Sequence, residues 1–160
     1  MAEKVLTARF GVEDSHRLST YKADGGYKAL EKVLGMQPGD VIEEVKKAGL
    51  RGRGGAGFPA GVKWSFVPEE SDKPKFLCVN ADEGEPGTFK DRYIMERDPH
   101  ALIEGSAIAS YAFGAHTAYI YVRGEFKFPI RRLEEALDEA RAEGLIGKNI
   151  LGSGFDLEMW

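Results

Sequence analysis

Four things are scarce or missing in this 160-residue sequence, and each narrows what the chain does. There is one cysteine, Cys78, which excludes an internal disulfide and any cluster held by cysteines of this chain alone. No apolar run approaches the ~20 residues that a bilayer demands, and the opening MAEKVLTARF has no apolar centre of the kind a secretory leader needs. The three histidines, His16, His100 and His116, are scattered without ligand spacing, so none is assigned to a metal or to proton transfer. Nor does one sign of charge dominate. With 22 Lys and Arg against 26 Asp and Glu the net charge is -4, and nothing general draws the chain to nucleic acid. The expectation is a soluble, cytoplasmic chain of one domain's length, large enough to bury a core, with any membrane association coming through partners.

What is abundant is glycine, and it is concentrated. Leu50 to Phe66 reads LRGRGGAGFPAGVKWSF, with Gly52, Gly54, Gly55, Gly57 and Gly61 inside ten residues. Glycine admits positive φ and close backbone approach, so such a loop can turn several N–H groups toward one anion. Arg51, Arg53 and Lys63 add positive charge, and Phe58, Trp64 and Phe66 offer flat apolar faces. A ligand with a phosphate and a ring system, a nucleotide or flavin mononucleotide (FMN), suits that surface. An ordinary turn and an Arg-Gly segment that binds RNA are the competing readings. The stretch is not the dinucleotide fingerprint, which follows a strand and opens a helix. No Gly-Lys-Ser/Thr closes it as a phosphate-binding P-loop.

Residues up to about Gly26 carry little periodicity and read as an extended or irregular lead-in. Tyr27, Leu30, Val33 and Leu34 fall at helical spacing, stopped at Gly35. Val41, Ile42, Val45 and Ala48 mark a second helix from Pro38 or Asp40 to Ala48. Lys75–Asn80 reads as a buried strand, which makes Cys78 a small buried hydrophobe. Asp98 and Pro99 open a helix as N-cap and N1, running to about Phe113. Thr117–Val122 is a β-branched and aromatic strand. Pro129 opens a helix with Ile130, Leu133, Leu137 and Ala140 on one face, ended by Gly144 and carrying an exposed Arg131–Glu135 pair. Phe155–Trp160 reads as a last strand. Alternating strands and helices with long connections predict an α/β fold with parallel crossovers.

The second informative stretch, Asn80 to Tyr93, reads NADEGEPGTFKDRY, with a turn at Pro86-Gly87. It follows the first strand, where ligands sit in open α/β sheets. Ionised Asp82, Glu83 and Glu85 accept hydrogen bonds only, which suits ribose hydroxyls and carboxamide N–H groups and opposes an additional phosphate. The stretch is not an EF-hand, because Glu85 stands at the sixth position where glycine is needed. A solvated acidic turn is the plain alternative.

Taken together, RGRGGAGFPAGVKWSF and NADEGEPGTFKDRYIMERDPHALIEG resemble the family of FMN- and NADH-binding flavin subunits of respiratory complex I, the NADH-quinone oxidoreductase. They also resemble its relatives, the diaphorase subunits of NAD-linked hydrogenases and formate dehydrogenases. The likeness runs from TYKADGGYKALEKVL through YIYVRGE to GKNI. It implies a Rossmann-like three-layer α/β sandwich with a mostly parallel sheet, truncated here at the C-terminus, with residues 1–26 as lead-in and 27–160 as an incomplete FMN/NADH-binding domain. By motif it implies FMN contacts at Gly52, Arg53, Gly54, Gly55, Lys63, Asn80, Asp82 and Glu83. Phe58 and Phe66 would pack on the adenine of NADH, and Glu85 would touch the nicotinamide nucleotide. Trp64 reads as core, Arg51 as the partner of a carboxylate, and Asp91 with Arg92 as a structural pair. The implied reaction is hydride transfer from NADH to FMN, then electron transfer to iron–sulfur clusters and quinone, with no catalytic side chain required. The family's [4Fe–4S] cluster lies in a region this chain does not contain. The implied partners are the other complex I-type subunits, including a thioredoxin-like [2Fe–2S] subunit, which would hold the protein peripherally at the cytoplasmic side of a membrane. No nucleic acid and no membrane span of its own are expected. A non-catalytic scaffold with the same fold is the alternative from another class.

Overall fold

The computed structural model describes residues 4–160, so the first three residues of the lead-in lie outside the described part. Three parallel strands, β1 (Phe76–Ala81), β2 (Thr117–Val122) and β3 (Glu158–Met159), form one sheet in the order β1-β2-β3. Parallel neighbours need long crossovers. Here α5 (Lys90–Arg97) and α6 (Pro99–Phe113) connect β1 to β2, while α7 (Lys127–Ala142) and a short 3-10 turn (Ile150–Gly152) lead from β2 to β3. Ahead of the sheet come α1 (Leu18–Ala23), α2 (Lys28–Leu34), α3 (Pro38–Lys47) and α4 (Ala60–Trp64). The parallel α/β architecture expected from the sequence is therefore present.

Helix α6 is the spine. Its buried Ile103 and Ala107 meet Leu30 of α2, Ala118 of β2 and Ala136, Leu137 and Ala140 of α7, with Leu157 and Met159 closing the cluster. Alanines at so many contacts let the helices and strands approach closely. Val33 and Val41 pack with Ala112 in a second cluster that includes Trp64, whose ring stands edge-on to Phe113 at 6.3 Å. Trp64 is thus a core-side residue, as expected. Gly61 permits the fit of α4 on α3: a Cβ there would lie 2.7 Å from the Lys46 backbone nitrogen.

Several expectations need correction. The lead-in is not irregular throughout, because α1 forms in it and buries Leu18 and Tyr21 in the main cluster. Single-turn α4 and charge-rich α5, which buries only Met95, had no apolar stripe for the sequence to display. Strand β1 is not buried on both sides. Leu77, Val79 and Ala81 face the helices, whereas Phe76, Cys78 and Asn80 are exposed, so Cys78 is not a core residue. On β2 the register places Tyr119 and Tyr121 beside Cys78 and Asn80, also exposed, and Phe76 stacks on Tyr119 at 6.3 Å. The described helices cover one face of the sheet and leave this aromatic face open.

Further corrections concern charges and helix starts. Asp98 stands at the N-cap position of α6 but its side chain supplies no cap, because the carboxylate is drawn to Arg9 at 2.5 Å. Helix α7 begins two residues before Pro129, which the first turn tolerates because its amides have no intrahelical acceptor. Glu135 pairs with Arg132 at 3.2 Å, and Arg131 lies over the Phe128 ring instead.

The N-terminal third is fastened to α6 and α7 by a buried polar network that no sequence periodicity announces. Glu104, buried in the middle of α6, accepts hydrogen bonds from the backbone N–H groups of Tyr27 (2.9 Å) and Leu30 (3.0 Å) and from the Tyr21 hydroxyl. It thereby caps α2 from another helix, where the dipole also favours a negative charge. Fully buried His100 sits between the Tyr27 hydroxyl (3.0 Å from Nδ1) and Glu139 (3.2 Å from Nε2). Glu139 in turn accepts from Leu18 N–H at 2.7 Å and pairs with Arg17. Burial pushes the phenols of Tyr21 and Tyr27 well above the ordinary tyrosine value, with Glu104 adding to the shift in both. The same burial lowers the His100 pKa against the pull of Glu139. A neutral ring satisfies both neighbours, donating from Nε2 to Glu139 and accepting at Nδ1 from Tyr27.

Two outcomes follow. Glu104→Ala strands two buried amides and a hydroxyl and should lower the stability by about 3 kcal/mol, read from urea denaturation, with Glu104→Gln losing less. Because the folded pKa of His100 lies below the unfolded value of about 6.5, its share of stability is complete above that pH and declines as the pH falls below it. The urea midpoint should therefore fall between about pH 7.5 and pH 5.5, and His100→Gln should flatten that slope.

Candidate functional site

The glycine-rich stretch folds as a loop pinched at its base. Arg51 and Pro59 form an isolated antiparallel bridge, Gly52 N–H donates to Phe58 O at 3.0 Å, and Ala60 N–H donates to Leu50 O at 2.8 Å. Arg51 closes the loop from inside, its Nε donating to Gly57 O at 2.5 Å, so it pairs with a carbonyl and not with a carboxylate. Of the five glycines only Gly57 takes a left-handed φ, at 66°. Gly61 is required by its contact with α3, as above. The other three have no internal reason to be glycine. A Cβ at Gly54 or Gly55 would meet nothing within 4 Å, and one at Gly52 would come only to 3.8 Å from Phe58 O. Arg53 and Lys63, both exposed, make no ion pair among the described residues. The loop thus offers bare backbone and two uncommitted cations to whatever lies outside it.

Two of the expected NADH contacts are brought together. Phe58 and Phe66 flank α4, their ring centroids 6.1 Å apart and inclined at 53°, and both are exposed, at 47% and 69%. The pair presents flat apolar faces to solvent beside the glycine-rich loop. Phe66 also borders a cavity of about 460 Å³ between α3, the end of α6 and residues 65–69, which contains none of the expected FMN contacts.

The acidic stretch begins where β1 ends. Asn80 Oδ1 accepts from Asp82 N–H at 3.0 Å, forming a local turn that leaves the Asp82 carboxylate exposed. Glu85 is exposed too, and its carbonyl takes the Thr88 N–H and hydroxyl. Glu83 is the exception, 5% exposed and turned inward. Its Oε1 accepts from Lys90 N–H and Asp91 N–H, both at 2.9 Å, and its Oε2 from Arg92 N–H at 3.1 Å. The carboxylate therefore caps α5. Burial opposes its charge, but these three amides outweigh burial and hold its pKa below the ordinary carboxylate value. Asp91 and Arg92 are not paired with one another: Asp91 meets Lys90 at 2.6 Å and Arg92 meets Glu96 at 2.8 Å.

No hydrogen bond or ion pair among the described residues joins 50–66 to 80–93, so each loop is organised by its own neighbours. The acidic loop has a neighbour that the motifs do not include. Arg123, the residue after β2, donates from Nη1 to Glu83 O at 3.0 Å and forks onto Glu125 at 3.2 and 3.3 Å. Its signals in the sequence are its inclusion in YIYVRGE, within the span of the family resemblance, and its place, a charge at the carboxyl end of a strand beside the loop that follows another strand.

Against known proteins, residues 45–158 match the family model described as the Nuo51 FMN-binding domain. The chain is 62% identical over 157 residues to a subunit of the NADH-quinone oxidoreductase of Rhizobium meliloti, covering 98% of this chain and 37% of that protein. It is 58% identical over 145 residues to the corresponding NADH-quinone oxidoreductase subunit in Aquifex aeolicus, covering 91% and 34%. The chain thus spans little more than a third of the curated relatives it matches. Among solved structures it resembles an NAD+-reducing [NiFe]-hydrogenase in the H2-reduced state, with TM-score 0.69 and 39% identity over 90% of this chain and 25% of that one. Motifs, fold and comparisons agree, and the chain belongs to the Nuo51 FMN-binding domain family, together with these NADH-quinone oxidoreductase subunits.

Proposed function

We propose that this chain holds FMN between its two loops and presents it to NADH. The observation that carries the reading is the set Gly52, Gly54 and Gly55, glycines that neither φ nor internal packing requires, beside the uncommitted Arg53 and Lys63. A phosphate resting on the loop backbone accounts for both. Asn80 and Asp82, exposed at the end of β1, face the ligand as hydrogen-bonding groups for flavin and ribityl atoms. Glu83 contributes through its backbone while its carboxylate stays on α5. Phe58 and Phe66 take the adenine of NADH, and Glu85 accepts from the nicotinamide nucleotide. When bound, FMN supplies the two-electron acceptor for hydride and the one-electron donor beyond it. The residues of this chain bind, orient and set the local charge, and none has to move a proton.

The wider reading rests on the family resemblance, and the NADH-quinone oxidoreductase relatives support it. We infer a complex I-type respiratory assembly, in which electrons pass from the flavin to iron–sulfur clusters and quinone. The [4Fe–4S] cluster belongs to the part of the relatives beyond this chain, and a thioredoxin-like [2Fe–2S] subunit is the proposed neighbour. No helix among the described residues is long and apolar enough to cross a membrane; the proposed location is peripheral, at the cytoplasmic face and held there by partner subunits. The likeness to an NAD+-reducing hydrogenase supports the same nicotinamide–flavin half-reaction.

The deciding experiment is an FMN titration of the purified chain followed by anaerobic NADH, watched at about 450 nm where oxidised flavin absorbs. Uptake with bleaching is expected, and a chain that takes up no FMN contradicts the reading. In the same assay Phe66→Ala should weaken NADH about tenfold, the worth of one aromatic stack, and leave FMN affinity unchanged.

A further inference from the structure

The acidic loop carries two exposed carboxylates, Asp82 and Glu85, on a turn with no hydrophobic anchor, and ligand contact requires that they be held still. Its single buried residue, Glu83, is gripped from two directions. The side chain is fixed by three amides of α5, and the main chain is fixed by Arg123. Arg123 packs directly on this loop. A Cβ on Gly84 would sit 3.4 Å from Nη1, so the loop backbone lies in van der Waals contact with the guanidinium. On its far side the guanidinium is oriented by both oxygens of Glu125 and lies 5.7 Å from the Phe126 ring. Its charge is held first by the hydrogen bonds to Glu125, with Asp82 and Glu85 adding to the attraction. Arg123 thus ties β2 to the ligand-facing loop of β1 at the sheet's carboxyl edge.

We propose that Arg123, oriented by Glu125, is a positioning residue that presents Asp82 and Glu85 to the bound nucleotides by clamping the Glu83–Gly84 backbone. The proposal rests on the FMN and NADH reading above and adds to it a residue that touches neither ligand. An arginine suits the task because its planar fork engages Glu125 and the Glu83 carbonyl at once, which a lysine ammonium cannot do with the same geometry. Removing it returns the ordering cost of the loop to the binding step.

Three variants test this on the chain itself: Arg123→Gln, Arg123→Lys and Glu125→Gln. Hydrogen exchange is followed by mass spectrometry on the ligand-free protein, and FMN affinity is measured by titration. The readout is exchange at residues 88–92, where the amides of Thr88, Lys90, Asp91 and Arg92 are hydrogen-bonded within the loop and to the Glu83 carboxylate. In Arg123→Gln it should accelerate about tenfold while the melting temperature changes little, because the half-buried guanidinium engages the loop, Glu125 and the Phe126 ring. FMN binding should weaken by a similar factor. Arg123→Lys should recover part of both effects, and Glu125→Gln should show both in smaller measure. Unchanged exchange at residues 88–92 in Arg123→Gln overturns the proposal, as does faster exchange with FMN affinity intact. A loss of protection spread over the whole chain with a lowered melting temperature also overturns it. If the wild-type chain takes up no FMN, the functional reading fails, and the exchange data alone decide whether Arg123 holds the loop.

Discussion

The structure depends on one buried carboxylate. Glu104 stands in the middle of α6, where an ionised group is expensive unless every oxygen is engaged, and its three donors all come from the segment between Tyr21 and Leu30. The carboxylate therefore specifies where α2 docks, at what height along α6, and with its N-terminus turned inward. Tyr27 holds a left-handed φ of 64° at that junction, a conformation uncommon for a bulky residue. Its amide on Glu104 and its hydroxyl on His100 retain it there. With α2 in place, α3 leaves beside the end of α6, and the glycine-rich loop is delivered from the far end of α3.

The same device recurs at the carboxyl edge of the sheet. Glu83 does for α5 what Glu104 does for α2, capping a helix N-terminus from a distance with a carboxylate that a sequence reader assigns to the solvent or to a ligand. The consequence for the site is a division of labour within four residues. Asp82 and Glu85 stay exposed because Glu83 is not, and the loop's rigidity is obtained from the residue that gives up contact with solvent.

The succession of strands and main helices along the chain was legible because the apolar positions of α2, α3, α6 and α7 repeat at helical spacing and β2 is rich in β-branched and aromatic residues. The elements that escaped, α1, α4 and α5, are short or charge-rich, and their helicity is enforced by contacts distant in sequence, such as Lys46 against Gly61 and Glu83 on α5. Cys78 and Phe76 were misplaced for a related reason. A continuous apolar run reads as doubly buried, yet here one face carries the aromatics outward. The two loops were legible as motifs, and Phe58 and Phe66 were found paired. The inward turn of Glu83 and the clamp of Arg123 were not legible, since neither side-chain direction nor a neighbour across two strands leaves a periodic trace.

The open aromatic face has a colloidal consequence for the isolated chain. Phe76, Tyr119 and Tyr121, with Trp160 exposed at the end of β3, form an apolar surface beside the outer edge of β1, which pairs with no strand among the described residues. Sheets stack most readily through such faces and edges. A net charge of -4 on 160 residues supplies little long-range repulsion, and moderate salt screens most of it within about 10 Å. Concentrated samples of the isolated chain should therefore self-associate through the sheet as salt is raised, while the loops at its carboxyl edge remain outside the contact.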